Sequence, residues 1–300
     1  MNEFIESLSD EFKNIYFVKG QKNGGYPYSH SLLIEDFLID TGISSRHLRN
    51  LKKKFSINNV ILSHWHEDHI SSNNLLRNAK YFCHSKDKHI VEDISKIGPY
   101  YGLSTTVAEN LTDIFLDSFK MENTKVDKTI EHNEIIKINN LQVRVIHTPG
   151  HTAGHCCFYE ENSKIAFFAD IDLTNFGPFY GCIDSSVIEF EESIEKLKNL
   201  DIDIAVSGHK GVFRGKKLIR EELDKYKSRI YEYESRILSQ LSEKTPVTPE
   251  DLMNKNLIYR KYGPGKEFEV IAERIMIEKH FDKFLIQNVI RKEENGYILS

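Results

Sequence analysis

Along the first two-thirds of the chain, short apolar runs alternate with stretches whose apolar residues recur every three or four positions. Continuous runs of four to eight residues suit buried strands, and the longer period suits helices packed on them. Residues 15–19, 31–35 and 37–40 read as early strands, after which Asp40-Thr41-Gly42 breaks the chain. A helix over 44–54 and an apolar strand over 59–63 follow. Residues 84–128 change character and read as a helical insertion, with Tyr100 and Tyr101 beside Gly98-Pro99. Strands return over 134–138, 141–146, 155–159 and 164–169, then a helix over 187–200 and a short strand over 204–207. This alternation predicts an α/β fold, with functional residues where strands end and loops begin.

From Gly215 the period lengthens. Ile219, Leu223, Tyr226, Ile230, Tyr233, Ile237 and Leu241 fall three or four apart and define one face of a long helix. Thr245-Pro246-Val247-Thr248-Pro249 stops it, and Thr248-Pro249-Glu250 resembles a new helix start. A further helical pattern covers 268–281, and Asn295-Gly296 between two apolar pieces signals a hairpin. The expected division is therefore 1–215 for the α/β domain and 216–300 for a helical, winged-helix-like module.

Composition narrows the class. Hydrophobic residues make up 40% and charged residues 28% of the 300, as in an ordinary globular chain. A net charge of −5 argues against a general nucleic-acid binder. The opening residues are acidic without a long apolar run, so neither a secretory signal nor a membrane span is expected. Cys83, Cys156, Cys157 and Cys182 form no Cys-x-x-Cys pair. Free thiols in a reducing cytoplasm are the expectation, with Cys156 and Cys157 on opposite faces of a strand.

Candidate chemistry concentrates in His64-Trp65-His66-Glu67-Asp68-His69, directly after the 59–63 strand. Imidazole and carboxylate are the ligands that zinc, iron and manganese prefer. On an extended stretch His64 and His66 point the same way and can share one ion. Asp68 and His69 follow the bend and can turn towards a second. Three further apolar runs each deliver a ligand type at their exit: 143–146 leads to His147-Thr148-Pro149-Gly150-His151-Thr152, 165–169 to Asp170, and 204–207 to Gly208-His209. A lone histidine after a strand is usually structural. Four strand ends carrying seven candidate ligands are hard to explain that way.

These motifs, with Asp40-Thr41-Gly42 as an early turn, resemble the metallo-β-lactamase superfamily over residues 15–215. The resemblance implies a four-layer αββα sandwich with a metal pair at one edge. By position it implies His64, His66 and His151 on one ion, Asp68, His69 and His209 on the other, and Asp170 bridging. The resemblance also implies that Asp40 orients the site without binding metal. Antibiotic-degrading members commonly carry cysteine where Asp170 stands, so the pattern is more similar to the glyoxalase II and RNase Z branches. Ala169 departs from the glycine usual before the bridging aspartate, which matters only if the backbone there needs positive φ.

The chemistry implied is hydrolysis. Two divalent ions about 3.5–4 Å apart, zinc before iron or manganese, turn a shared water into a hydroxide that attacks a carbonyl or phosphoryl centre, with Asp68 or Asp170 orienting it. His30, His147, Lys210, Tyr180 and a metal-bound water are open candidates for the leaving-group donor. Phe176-Gly177-Pro178-Phe179-Tyr180-Gly181 and Tyr26-Pro27-Tyr28 are candidate pocket walls. The favoured substrate is a small ester, thioester or related acyl compound. Alternatives are a phosphodiesterase or endoribonuclease, and a mononuclear iron oxygenase or non-catalytic metal sensor. Residues 216–300 carry 17 basic and 15 acidic side chains, so RNA is an alternative partner that this balance does not favour. Homodimerisation and covering the active site are the other roles open to that module.

Overall fold

The computed structural model describes residues 4–103, 116–117, 119–263 and 266–300. Among these, two sheets stack face to face. The first contains β1 (Ile5–Ser7), β2 (Ile15–Val18), β3 (Ser31–Ile34), β4 (Phe37–Ile39), β5 (Asn59–Ile61), β6 (Lys80–His84) and β7 (Lys128–Ile130), neighbours in chain order. Pairing is antiparallel up to β4 and parallel from β4 to β7. The second contains β8 (Ile135–Ile138), β9 (Leu141–His147), β10 (Cys156–Glu160), β11 (Ile165–Ala169), β12 (Ile204–Ser207) and β13 (Gly211–Arg214), also neighbours in chain order. There only β11 and β12 run parallel.

The continuous apolar runs arise because both faces of these strands are covered. Ile61, Phe158 and Phe167 face the seam between the sheets. Val60 and Leu62 face the opposite way, against helix α1 (Ser45–Lys52) and the segment around α3 (Ser85–Val91) and α4 (Ile97–Tyr100). Cys157, Ala166 and Phe168 face α5 (Val187–Lys198), α6 (Lys216–Leu238) and α7 (Lys266–Ile286). The result is the αββα sandwich. Cys156 joins the seam while Cys157 faces the helices, as strand alternation requires.

The apolar face read at Ile219, Leu223, Tyr226, Ile230, Tyr233 and Ile237 is buried in α6. Those residues share one core cluster with strands β10 to β12 and with Met276, Phe281 and Phe284 of α7. The C-terminal helices thus form part of the outer layer of the second sheet. The chain ends in a hairpin, β14 (Ile290–Glu293) with β15 (Gly296–Leu299), pinned by a bridge between Tyr297 and Val247. Its turn centres on Glu294-Asn295, and Gly296 already pairs with Glu293. The helix start expected at Thr248-Pro249-Glu250 is a single 3₁₀ turn, Glu250–Leu252.

The expected helical insertion over 84–128 is helical in α3 and α4, but residues 121–126 are not. They form no helix, and their backbone bonds go elsewhere: Thr124 N–H donates to Val91 O and Val126 N–H to Glu92 Oε1. The rest of that expectation, 104–115 and 118, lies outside the described residues.

Topology sets the working edge. β4 and β5 are parallel, so Asp40 and the histidine motif leave the first sheet at one edge. β9 and β11 are both antiparallel to β10, and β12 is parallel to β11. The exits of β9, β11 and β12 therefore also share an edge. At the end of β11 the register slips, and Ala169 takes φ 47° just before Asp170. An L-residue with a Cβ is disfavoured there by about 1–2 kcal/mol, against roughly 0.5–1 kcal/mol for the looser unfolded chain that glycine brings. Ala169→Gly should therefore stabilise the protein by roughly 0.5–1 kcal/mol. Urea unfolding should show a higher midpoint with an unchanged slope, and a lower midpoint would refute the strain.

Candidate metal centre

The motif leaves β5 extended, and His66 caps the one-turn helix α2 (Glu67–Ile70). The extended part aims His64 and His66 inward, and the turn carries Asp68 and His69 to one side. Gly42 explains the Asp40-Thr41-Gly42 break: a Cβ there would sit 1.5 Å from Asp68 O. Thr41 N–H donates to His69 O at 2.8 Å, so this turn is pressed against α2 and braces it.

All seven expected residues come together. His64, His66, His151 and Asp170 converge as one group, and Asp68, His69 and His209 as another. In the first, His151 Nε2 lies 3.2 Å from His64 Nε2, 2.8 Å from His66 Nδ1 and 3.1 Å from Asp170 Oδ2. In the second, His209 Nε2 lies 3.3 Å from Asp68 Oδ2. Asp170 touches both groups, since its Oδ1 is 2.8 Å from His69 Nε2 and 3.3 Å from His209 Nε2.

The outward ring nitrogens fix which way the lone pairs point. His151 Nδ1 meets Phe179 O at 2.8 Å and His209 Nδ1 meets Gly24 O at 2.7 Å. His69 Nδ1 meets Asp40 Oδ2 at 2.7 Å. Carbonyls and carboxylates only accept, so each Nδ1 carries the proton and each Nε2 can offer a lone pair inward. Ser63 Oγ donates to Asp40 Oδ2 at 2.7 Å and so accepts from His64 Nδ1 at 2.9 Å, with the same result for His64. His66 is turned over: Nε2 faces Cys182 Sγ at 3.2 Å and Nδ1 faces in. Buried lone pairs and carboxylate oxygens aimed at common points are the donor set of a divalent cation. Two inward atoms, His69 Nε2 and Asp170 Oδ1, are buried without an aligned hydrogen-bond partner. The residues fit metal, and the clusters are able to hold divalent ions.

Electrostatics of the protein alone agree. Burial, the largest influence, pushes His64 and His66 well below the ordinary imidazole range and keeps them neutral. Burial pulls the same way on His69 and His209, but the carboxylates outweigh it: Asp170, Asp40 and Asp68 raise His69 well above its usual value, and Asp170 and Asp68 raise His209 to about 10. Burial alone would raise Asp170, yet His69, His209 and His151 hold it well below the carboxylate range. Without cations, protons on His69 and His209 balance the acidic side of the cluster.

Several supporting residues carried no sequence signal as such. His155 is buried beside His64 and His151, and its Nε2 accepts the Asp170 backbone N–H at 3.1 Å. Burial lowers it to about 3, which leaves that nitrogen free to accept. Ser63 and Cys182 also emerge only from the fold, although Ser63 adjoins the motif. Glu67 is not a ligand: Tyr26 and Tyr101 hydroxyls donate to its two oxygens at 2.9 and 2.6 Å.

The four side-chain candidates for proton donor are engaged elsewhere. His30 Nδ1 accepts from Gly20 N–H, and burial lowers its pKa to about 3. His147 stacks on His84 and meets Ala153 O. Lys210 donates to Leu173 O and pairs with Glu222. Tyr180 is fully buried against His280, 2.7 Å away. The 176–181 loop divides: Phe179 lies near His66 and His151, while Phe176 packs on Tyr233 and Tyr259.

Comparison with known proteins places this geometry in a family. The profile of the Metallo-beta-lactamase superfamily matches residues 25–209, more than half of the chain. An atrochrysone carboxyl ACP thioesterase of Cryptosporiopsis sp. is 26% identical over 120 residues, 40% of this chain and 28% of its own length. A hydroxyacylglutathione hydrolase of Chelativorans sp. is 34% identical over 86 residues, 28% of this chain and 32% of its own. Both matches span about a third or less of those relatives. A beta-lactamase domain protein from Burkholderia ambifaria shares the fold, with TM-score 0.76 at 14% identity over 99% of this chain and 94% of that one. With the matched span running from the Tyr26 loop to His209 and enclosing all seven converging side chains, the chain belongs to the metallo-beta-lactamase superfamily of hydrolases.

Proposed function

We propose that this protein hydrolyses a small thioester or ester at a centre holding two divalent cations, zinc in the first instance. The carrying observation is Asp170, whose two oxygens face two separate sets of inward lone pairs. His64, His66 and His151 would hold one ion with Asp170 Oδ2, and Asp68, His69 and His209 the other with Asp170 Oδ1. Bound there, the ions supply Lewis acidity for a substrate carbonyl and make water nucleophilic near neutral pH. Asp68 and Asp170 supply the carboxylate oxygens that orient the water. The buried surroundings keep these charges in a low-dielectric setting, where they act more strongly than in bulk water.

The acyl class is supported by the names of the relatives, a thioesterase and a hydroxyacylglutathione hydrolase. Phe179, beside His66 and His151, and the exposed Tyr26 would flank the acyl group. Four buried free thiols and no disulfide among the described residues support a reducing, cytoplasmic setting. No described helix is long and apolar enough to cross a membrane.

The reading is tested by assaying metal-loaded protein on thioester, lactone, phosphodiester, RNA and β-lactam substrates. Thioester turnover should dominate, and His66→Ala should abolish it and lower the metal content. RNA or phosphodiester turnover in place of thioester would overturn the acyl assignment. Asp40→Asn puts an amide N–H against donors that a carboxylate now satisfies. It should weaken cation retention by about 10- to 100-fold in chelator competition, and unchanged retention would remove Asp40 from the orienting role. Loading should also release protons, because the raised His69 and His209 carry them in the cation-free protein. Calorimetry near pH 7.5 in buffers of different ionisation heat should show release of about two protons per chain. The sign also predicts that the chelated protein loses stability as pH climbs through about 10, the His209 value. Net proton uptake on loading would contradict both.

A further inference from the structure

A cavity of about 540 Å³ lies beside the metal centre, lined among others by Pro27, Tyr28, Ser72, Arg46, Arg49 and Lys120. Arg46 and Arg49 are three apart on α1 and so lie on the same side of the helix. Among the described residues no carboxylate lines the cavity. Among the same residues, neither guanidinium nor the Lys120 ammonium has an ion-pair partner, and Arg46 and Arg49 are exposed. Lys22 sits over the Tyr28 ring at 5.8 Å and adds a fourth cation at the rim. Hydroxyl and amide groups from Ser44, Ser45, Ser71, Gln21 and Asn74 complete the lining.

A chain of side-chain contacts links the cavity to the segment that carries Asp68. Tyr26 packs edge-on against Phe119, which lines the cavity, and its hydroxyl donates to Glu67, next to Asp68. Ser71 and Ser72, also in the lining, directly follow α2.

We propose that this cavity binds a phosphate group carried on the leaving-group side of the substrate. An entering anion would meet these four cations and, among the described residues of the lining, no competing carboxylate. Paired guanidinium groups match the oxygens of a phosphate in geometry as well as charge. The placement suits a thioester whose acyl carbon lies at the metal centre and whose thiol arm runs past Tyr26 to Arg46 and Arg49. The role as a substrate subsite rests on the acyl-hydrolase reading, whereas the anion site itself does not.

Two measurements on the full metal-loaded chain separate these. In the first, melting temperature is followed in inorganic phosphate against chloride at matched ionic strength. The wild type should be stabilised by phosphate, and Arg46→Gln/Arg49→Gln should lose most of that shift, with Lys120→Gln as an independent variant. Both arginines are exposed, so the fold should tolerate the change. An undiminished phosphate shift in the variants overturns the site. In the second, one acyl group is presented as its coenzyme A thioester and as its uncharged N-acetylcysteamine thioester. The double variant should raise KM at least about tenfold for the phosphate-bearing ester, with kcat unchanged and the neutral ester unaffected. An equal rise for both esters, or none for either, overturns the subsite. If the wild type turns over neither ester, the acyl-hydrolase reading fails and the phosphate titration still decides the anion site.

Discussion

A carboxylate in a protein interior is costly unless every oxygen is hydrogen-bonded, and Asp40, fully buried at the end of β4, meets that condition in a way that organises the centre. It accepts the Ser63 backbone N–H, the Ser63 hydroxyl and His69 Nδ1, each at 2.7 Å. Those bonds tie β4 to the end of β5 and to α2. Through Ser63 they also set the ring of His64. One side chain that touches no inward ligand point therefore fixes two that do. Gly42, two residues on, lets the same turn press against Asp68 O.

The centre is assembled by two sheets that contribute unlike parts. The first brings His64, His66, Asp68 and His69 on one continuous stretch. The second brings His151, Asp170 and His209 from three strand exits. Neither sheet holds a complete set, so the apolar seam of Ile39, Ile61, Phe158, Phe167 and Val206 is also what brings the ligands within reach of each other. The C-terminal helices hold the second half in place. Tyr226 donates to Asp170 O at 3.2 Å and Tyr233 donates to Phe176 O. Tyr180 is fixed by His280 of α7, one residue after the Phe179 carbonyl that orients His151. Tautomers of the converging histidines and packing of the outer helices are in this sense one coupled system.

Much of this was legible before the fold was known. The α/β class followed from the alternation of apolar runs and helical periods, the αββα layering from the family resemblance of the motifs, and the α6 face from its spacing. The strands not read from the sequence were β1, β6, β7 and β13, of which β1, β6 and β7 lie in or beside stretches with mixed polar and apolar residues and β13 directly follows the His209 turn. Residues 121–126 were misread as helical because their backbone partners, Val91 and Glu92, are distant in sequence. The side-chain proton-donor candidates were chosen as plausible residue types. Packing gave each of them another partner.

The sequence by itself determined the family, the seven converging residues and the strand exits that deliver them, because each is a residue type at a fixed spacing from a recognisable apolar run. Tertiary structure alone decided how those residues face. That His66 presents Nδ1, that His155 supports Asp170, and that Ala169 adopts positive φ depend on Cys182, on β10 beside β11, and on the register slip between β11 and β12. The cation-lined cavity beside Tyr26 belongs to the same class, since Arg46 and Lys120 are far apart in the chain. Spacing is a local property of a polypeptide, whereas orientation and charge balance come from neighbours that only folding brings near.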